Sequence, residues 1–143
     1  MARILIVEDD SENRLLMRTI VAQLGHEAFS VADGVAALEA LGVDPGELAD
    51  HPDFDDADRP VELDPPPAGL DWDLVFMDVL LPGPDGREVC RSLRDAGCEV
   101  PVVAVTGLAM SGDRESCLES GMNDYVAKPF TVDVVAERLE AWI

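Results

Sequence analysis

The sequence predicts an α/β fold with a doubly wound parallel sheet, and two observations support this prediction. Short apolar runs rich in β-branched residues, at 4–7, 74–77 and 102–105, are typical of strands that are covered on both faces. Segments with apolar residues at helical spacing follow these runs, so that strand and helix alternate along the chain. The alternation favours five β/α repeats with right-handed crossovers.

The other elements complete the five repeats. Segments 28–31 and 124–127 are predicted as the second and fifth strands, and 112–120 as the fourth helix. Asp85 followed by Glu88 has the spacing of a capping box that opens the third helix. Apolar stripes predict which helix faces pack on the sheet. They are Leu16, Ile20 and Leu24 in the first helix, Val35, Leu38 and Leu41 in the second, Val89 and Leu93 in the third, and Val132, Val135, Leu139 and Trp142 in the fifth.

Segment 42–73 interrupts this pattern. It holds six of the ten prolines and eleven acids against one base, Arg59, and its apolar residues show no sustained period. Because a helix usually connects to the next strand through about 2–6 residues, we interpret the segment as a long, solvated, acidic insertion with one helical turn at 46–50. The chain, 1–143, is predicted to be a single domain with no second core and no output domain.

Composition and charge exclude several classes of function. The 30 acidic and 10 basic residues give a formal net charge of −20, which would repel nucleic acids and anionic membranes. The apolar run at 4–7 is too short for a signal peptide or a membrane span, so we expect a cytoplasmic location. The cysteines Cys90, Cys98 and Cys117 lack CxxC spacing and nearby histidines, which favours buried apolar side chains over disulfides or metal ligands.

Polar side chains directly follow or end four of the predicted strands. They are Glu8, Asp9 and Asp10 after the first strand, Asp78 after the third, Thr106 at the end of the fourth and Lys128 after the fifth. The carboxyl ends of parallel strands meet at one edge of a sheet, where ligands of open α/β sheets bind. Carboxylates brought together in this way repel one another and either take up protons or hold a cation. Oxygen ligands at an open edge suit Mg²⁺.

Each of these residues alone has an ordinary structural explanation. An aspartate after a strand is usually a helix N-cap, and we assign Asp10 to that role for the first helix. A lone Thr106 would be a strand residue and a lone Lys128 a solvated charge. It is the combination of an acid pair, an acid, a hydroxyl and the chain's only lysine, each at the end of a different strand, that indicates a site.

The chain outside 42–73 resembles the receiver domains of two-component response regulators, the CheY-like superfamily. Four fragments carry the resemblance in the same order and spacing as in the family: ILIVEDD at 4–10, MDVLLPGPDG at 77–86, PVVAVTG at 101–107 and GMNDYVAKPF at 121–130. The resemblance implies a flavodoxin-like fold, a five-stranded parallel sheet of order 2-1-3-4-5 with helices on both faces.

The resemblance also implies the roles of the acids. Asp78 would be the phosphoryl acceptor, and Glu8 and Asp9 would form the acid pair that binds Mg²⁺. In the family the second acid binds the ion directly and the first usually acts through water, which makes Asp9 the stronger ligand assignment. A side-chain oxygen of Asp78 and the backbone carbonyl of Leu80 would complete the protein ligands.

Three further residues take their implied roles from the same fragments. Thr106 and Lys128 would contact the phosphoryl oxygens, and Tyr125 would be the aromatic residue whose rotamer follows the switch. The peptide between Lys128 and Pro129 resembles the family's cis-proline bond. Phosphorylation would then shift the surface formed by the fourth helix, the fifth strand and the fifth helix.

The function implied is that of a phosphorylatable single-domain response regulator in two-component or phosphorelay signalling. Such a protein is a switch and not an enzyme, beyond self-catalysed phosphoryl transfer to Asp78 and slow autodephosphorylation. A histidine kinase or a histidine phosphotransfer protein would donate the phosphoryl group, and the downstream partner would be a protein that the sequence does not identify. The apolar side chains of Leu80 and Leu108 predict slow hydrolysis, since neither can orient an attacking water molecule.

Three other functions fit the same fold class less well. A flavodoxin-like electron carrier needs hydroxyl and N–H groups for the FMN phosphate after the first strand, where Glu8 and Asp9 would repel it. A phosphohydrolase of the haloacid dehalogenase type has a second aspartate two residues after the nucleophile, and here that position is Leu80. A binding module that works without phosphorylation would not need the complete set of acids, hydroxyl and lysine.

Overall fold

The computed structural model describes residues 2–50, 66, 69–107 and 113–143, and strands and helices alternate along them as predicted. The elements are β1 (Arg3–Val7), α1 (Ser11–Gln23), β2 (Glu27–Val31), α2 (Gly34–Ala40), a 3₁₀ turn (Gly46–Asp50), β3 (Leu74–Asp78), α3 (Gly86–Asp95), β4 (Val102–Thr106), α4 (Asp113–Glu119), β5 (Asp124–Ala127) and α5 (Val132–Trp142). Within the described ranges, no helix is long and apolar enough to cross a bilayer.

The five strands form one parallel sheet in the order β2-β1-β3-β4-β5, which confirms the predicted fold. All four strand pairs are parallel, so the five carboxyl ends lie at the same edge. Chain order reverses at β1, because β2 lies on one side of it and β3 on the other. A reversal of this kind leaves a crevice beyond the strand ends, which is the usual ligand position in doubly wound sheets.

The core has two halves, one on each face of the sheet. Successive side chains of β1 point to opposite faces: Ile4 and Ile6 join the buried cluster beneath α1 and α5, and Leu5 and Val7 join the cluster beneath α2 and α3. Cys117 places α4 on the α3 side. Because both faces are covered, β1, β3 and β4 are apolar at nearly every position, which explains the continuous runs in the sequence.

Two positions of the predicted helix stripes are wrong. In α1, Met17 and not Leu16 contacts the core, for Met17 is 3% exposed and Leu16 is 48% exposed. Met17 and Ile20 have the i, i+3 spacing of a helix face, so the buried face is shifted by about one residue from the prediction. In α5, Val132 lies in the first turn and is 45% exposed, while Val135 is buried as predicted.

The predicted helix caps are confirmed. Asp10 Oδ1 accepts the backbone N–H of Glu12 at 2.9 Å at the start of α1. Asp85 Oδ1 accepts the N–H groups of Arg87 at 2.9 Å and Glu88 at 3.1 Å at the start of α3. These carboxylates satisfy N–H groups that have no partner within their helices, so Asp10 has a structural role beside the acid pair.

Both ends of the predicted insertion pack against the buried cluster beneath α2 and α3, through Leu48 at the near end and Trp72 at the far end. The 3₁₀ turn lies at 46–50, where one helical turn was predicted. At the far end, the indole N–H of Trp72 donates to Ala40 O at 3.0 Å, and the ring packs edge-on against Phe29 at 5.6 Å. Arg3 binds Asp71 O at 2.9 Å. The middle of the insertion, 51–65 and 67–68, lies outside the described residues, so its solvated character stays a prediction.

Candidate functional site

Three carboxylates meet beyond the carboxyl ends of β1 and β3. The two strands are paired with Val7 opposite Met77, which puts Glu8 and Asp78 at neighbouring strand ends. One carboxylate oxygen from each of Glu8, Asp9 and Asp78 lies within 4.8 Å of the others. Glu8 and Asp78 are buried, at 5% and 4% exposure, whereas Asp9 is exposed. The predicted convergence of the acids is therefore present in the structure.

Lys128 reaches this cluster from the end of β5. Its Nζ donates to Glu8 Oε2 at 3.0 Å, to Glu8 Oε1 at 3.2 Å and to Asp78 Oδ2 at 3.2 Å. The backbone holds the lysine in place: its N–H donates to Thr106 O at 2.8 Å, and the peptide to Pro129 is cis, as the resemblance implied. One ammonium group thus bridges two buried carboxylates at the ends of the neighbouring strands β1 and β3.

The acids of the site are only partly neutralised. Burial, followed by the hydrogen bond and the charge of Glu8, raises the pKa of Asp78 from 3.8 to about 7, although Lys128 acts in the opposite direction. Burial alone would lower the pKa of Lys128, but its hydrogen bonds and ion pairs with Glu8 and Asp78 outweigh burial and raise that pKa. A single ammonium group therefore does not offset three neighbouring carboxylates.

The donor set fits a small divalent cation. All side-chain donors are carboxylate oxygens, which Mg²⁺ prefers to nitrogen or sulfur ligands. Asp9 is exposed, so the cluster is open to solvent on one side and leaves room for the water molecules that Mg²⁺ retains. In the described part of the chain, no other group of three His, Cys, Asp or Glu side chains has its ligand atoms this close together.

The loop after Asp78 is packed tightly against that residue. The N–H of Leu80 donates to Asp78 Oδ1 at 3.1 Å and holds this oxygen, while the Leu80 side chain is 53% exposed. The N–H of Gly86 donates to Val79 O at 2.9 Å, and a Cβ atom at position 86 would lie 2.4 Å from Asp78 O. Only glycine allows α3 to begin this close to Asp78. Leu108, the other predicted apolar neighbour, lies outside the described residues.

Thr106 and Tyr125 lie on the neighbouring strands β4 and β5. Thr106 is 1% exposed, and the preceding residue, Val105, is paired with Asp78 across the sheet. Tyr125 is half-buried and packs against the cluster on the α3 and α4 side. Thr106 is two residues beyond Ala104, the strand partner of Tyr125, so both side chains belong to the same face of the sheet. This arrangement fits the predicted pair, whose movement during switching stays a prediction.

Two arginine contacts near the site were not predicted. Arg14 of α1 binds the backbone carbonyls of Glu8 and Asp9. Arg87 in the first turn of α3 donates to Ser116 Oγ of α4 at 3.0 Å and so links the two helices. Neither contact follows from a sequence pattern, because the first is made to the main chain and the second joins residues 29 positions apart.

Several known proteins are similar to nearly the whole chain. The sensor histidine kinase GacS of Pseudomonas protegens is 31% identical over 98% of this chain, which spans 13% of that protein. The transcriptional regulatory protein TcrA of Mycobacterium tuberculosis is 35% identical over 97% of this chain, which spans 45% of that protein. The chain thus covers less than half the length of these curated relatives.

A solved structure is also similar to nearly the whole chain. The receiver domain of the sensor histidine kinase PA1611 from Pseudomonas aeruginosa, with magnesium coordinated in its active-site cleft, superposes with a TM-score of 0.74 at 31% identity, covering 99% of this chain and 96% of that one. The family model of the response regulator receiver domain matches residues 66–140, just over half of the chain. The chain belongs to the response regulator receiver domain family, the signalling switches of two-component systems.

Proposed function

We propose that this chain is a phosphorylatable response regulator in which Asp78 accepts a phosphoryl group while Mg²⁺ is bound by Glu8, Asp9 and Asp78. The observation that carries the proposal is the contact of Lys128 Nζ with Asp78 Oδ2 at 3.2 Å inside a cluster of carboxylate oxygens within 4.8 Å of one another. A nucleophile, a cation and a divalent-ion site then lie together, as phosphoryl transfer requires.

The two oxygens of Asp78 have different surroundings, which supports different roles for them. Oδ1 accepts the N–H of Leu80 at 3.1 Å, and Oδ2 accepts the ammonium group of Lys128 at 3.2 Å. We assign Oδ2 as the nucleophile, because a phosphoryl group joined to it would lie next to the lysine. Lys128 would then exchange its contact with Glu8 for one with a phosphoryl oxygen. Bound Mg²⁺ would supply the charge that offsets repulsion between the acids and an incoming phosphate.

Thr106 and Tyr125 would convert phosphorylation into a change of surface. Thr106 is buried at the end of β4, beside the strand end that carries Asp78. Its hydroxyl would bind a phosphoryl oxygen, and the space it leaves would admit the half-buried ring of Tyr125. Phosphorylation would shift the populations of two conformations of the surface formed by α4, β5 and α5.

The partners follow from this chemistry. A histidine kinase or a histidine phosphotransfer protein would be the phosphoryl donor, and a protein that docks on the switched surface would be the target. The net charge of −20 argues against nucleic acid or an anionic membrane as a direct partner. A cytoplasmic location, and one receiver domain formed by residues 1–143, are part of this proposal.

The proposal is tested by intact-mass measurement after incubation with acetyl phosphate. The parent protein should gain one phosphoryl group in the presence of Mg²⁺ and none in the presence of a chelator. Asp78→Asn should remain unlabelled. Asp10→Asn is the matched control, because Asp10 lies beside the acid pair but caps α1, and it should be labelled at close to the parent rate. Equal labelling of Asp78→Asn and the parent would refute the assignment of Asp78.

A further inference from the structure

One residue of α1 binds three consecutive carbonyl groups of the loop that carries the acid pair. Arg14 Nη1 donates to Glu8 O at 3.0 Å and to Asp9 O at 3.4 Å. The backbone N–H of the same residue donates to Asp10 O at 2.9 Å. The carbonyl oxygens of residues 8, 9 and 10 therefore all accept hydrogen bonds from one residue of α1, Arg14.

These carbonyl groups lie just beyond the strand that precedes them. β1 ends at Val7, and just beyond it the N–H of Glu8 donates to Val31 O of β2 at 3.1 Å. Glu8 is buried, so its carbonyl group, just past the end of the strand, needs a donor from elsewhere in the protein. A helical side chain leans toward the helix N-terminus, which brings the guanidinium of Arg14 back over the loop.

The site depends on the shape of this loop. Consecutive side chains of an extended chain point in opposite directions, so an extended backbone would separate the carboxylates of Glu8 and Asp9. The backbone bends at Asp9, and both carboxylates lie within 4.8 Å of that of Asp78. The carbonyl groups that Arg14 binds are those on either side of this bend.

We propose that Arg14 is a positioning residue for the divalent-ion site, holding the bend that directs Glu8 and Asp9 toward Asp78. This inference rests on the proposed function, since it concerns the ion site described above. Arg14 acts on the ion through the backbone of its ligands. It is comparable to the outer partners that orient metal ligands elsewhere, whose removal commonly weakens metal binding by about 10-fold to 100-fold.

The direction in which the ion affinity changes distinguishes a positioning role of Arg14 from an effect of its charge alone. A guanidinium beside a cation site repels the ion, so loss of the charge alone would tighten ion binding, by about twofold at a solvated site. Loss of the bonds to the loop would release the bend and weaken ion binding. We expect the second effect to be larger and the affinity of Arg14→Met to fall roughly tenfold.

The experiment measures binding of Mn²⁺ alone, by electron paramagnetic resonance, with no phosphoryl donor present. Arg14→Met keeps the aliphatic stem but removes the charge and the donors. Arg14→Lys keeps the charge on a shorter side chain and should bind the ion roughly threefold more weakly than the parent. Arg91→Met, which removes an exposed arginine from α3, is the control and should bind the ion like the parent.

A second measurement separates this role from a general loss of structure. In Arg14→Met, the Mg²⁺ concentration that gives the half-maximal initial rate of labelling by acetyl phosphate should be higher than in the parent. At saturating Mg²⁺ the rate should return to within about twofold of the parent rate. Parent-like or tighter ion binding in either Arg14 variant would overturn the proposal, as would equal weakening in Arg91→Met or a low rate at saturating Mg²⁺. If Arg14→Met does not fold, Arg14→Lys decides by the same criteria.

Failure of this inference differs from failure of the proposed function. If the parent binds no Mn²⁺, or if Asp9→Asn binds it as the parent does, the ion site itself is wrongly assigned. If the parent binds Mn²⁺, Asp9→Asn loses it and the Arg14 variants bind it normally, only the role of Arg14 is refuted.

Discussion

The two edges of the sheet hold their charged groups in opposite ways. At the edge formed by the amino ends of the strands, Arg94 donates four hydrogen bonds to neutral acceptors. Its acceptors are Gly121 O at 3.0 Å, Cys98 O at 2.9 Å, Val100 O at 2.8 Å and Asn123 Oδ1 at 2.9 Å. At the edge formed by the carboxyl ends, Glu8 and Asp78 are buried with Lys128 as their shared cation, and Asp9 lies beside them.

The difference separates a charge whose hydrogen bonds satisfy the fold's own acceptors from charges that the fold compensates only in part. Arg94 fastens the ends of α3 and α4 to the starts of β4 and β5, and each of its bonds satisfies an acceptor of the chain itself. Burial and the neighbouring acid raise the pKa of Asp78 to about 7, which means that the fold disfavours its charged form. We therefore expect the amino edge to contribute to stability and the carboxyl edge to cost stability, which a bound cation would restore.

The largest expected effect is at the amino edge. Arg94→Met should lower the free energy of unfolding by about 3–5 kcal/mol, because three backbone carbonyl groups and an amide oxygen lose their charged donor. The variant should still bind Mn²⁺ with parent affinity if it is assayed below its unfolding transition. Urea denaturation measures the loss. Arg91→Met, on the exposed side of the same helix, should change stability by less than about 0.5 kcal/mol, and a similar loss in both variants would contradict the role of Arg94.

At the carboxyl edge we expect that removing a charge raises the free energy of unfolding instead of lowering it. The pKa of Asp78 is about 7 in the folded protein and 3.8 in the unfolded chain, so the folded state binds the proton more tightly. The contribution of Asp78 to stability is therefore fully present below pH 4 and is lost as the pH rises to about 7. The full difference in pKa corresponds to about 4 kcal/mol, and relaxation of the site should reduce it to about 2 kcal/mol.

Asp78→Asn cannot ionise and should avoid this loss. Without divalent ions, it should be more stable than the parent by about 2 kcal/mol at pH 8 and about equally stable at pH 4. Excess Mg²⁺ at pH 8 should narrow the gap by stabilising the parent. Denaturant titrations at the two pH values provide the measurement. A parent that is more stable than Asp78→Asn at pH 8 without metal would show that Lys128 neutralises the site and that the contrast between the edges is wrong.

The sheet was predictable because each buried strand is marked by a short stretch of sequence. A strand buried on both faces must be apolar at nearly every position, and the runs at 4–7, 74–77 and 102–105 show this directly. The acids of the site were predictable for a related reason: parallel strands place their carboxyl ends together whatever their separation in sequence. Glu8 and Lys128 are 120 residues apart and yet bonded, because each lies at the end of a strand.

The features that were missed depend on atoms that carry no sequence signal. Arg14 and Arg94 bind backbone carbonyl groups, which every residue has, so no pattern identifies their partners. The buried face of α1 was wrong at Leu16 because Leu16 and Met17 both fit a helical stripe, and only packing decides between them. The hydrogen bond of Trp72 to Ala40 likewise fastens the far end of segment 42–73 to the last residue of α2, although the composition of the segment predicted solvation throughout.

The smallest expected effect concerns access of water to the carboxyl edge. The side chain of Leu80 is 53% exposed, while its N–H holds Asp78 Oδ1. The side chain of a residue in contact with Asp78 is therefore open to solvent, and a polar group there could orient a water molecule for attack on the proposed aspartyl phosphate. Leu80→Asn should shorten the lifetime of the phosphorylated protein by about tenfold, equivalent to roughly 1.4 kcal/mol in the barrier to hydrolysis.

The matched control for this change is Leu80→Ala, which removes the apolar side chain without adding a polar one. Loss of the phosphoryl group from purified protein, followed by intact mass without kinase or phosphatase, measures both lifetimes. If orientation of water limits hydrolysis, the alanine variant should decay within about threefold of the parent rate. If the leucine instead acts by excluding water, both variants should decay faster by similar factors. Parent-like decay of both variants would show that the side chain at position 80 neither excludes nor affects the orientation of the attacking water. Lys128 and the backbone around Asp78 would then be the groups that determine the lifetime.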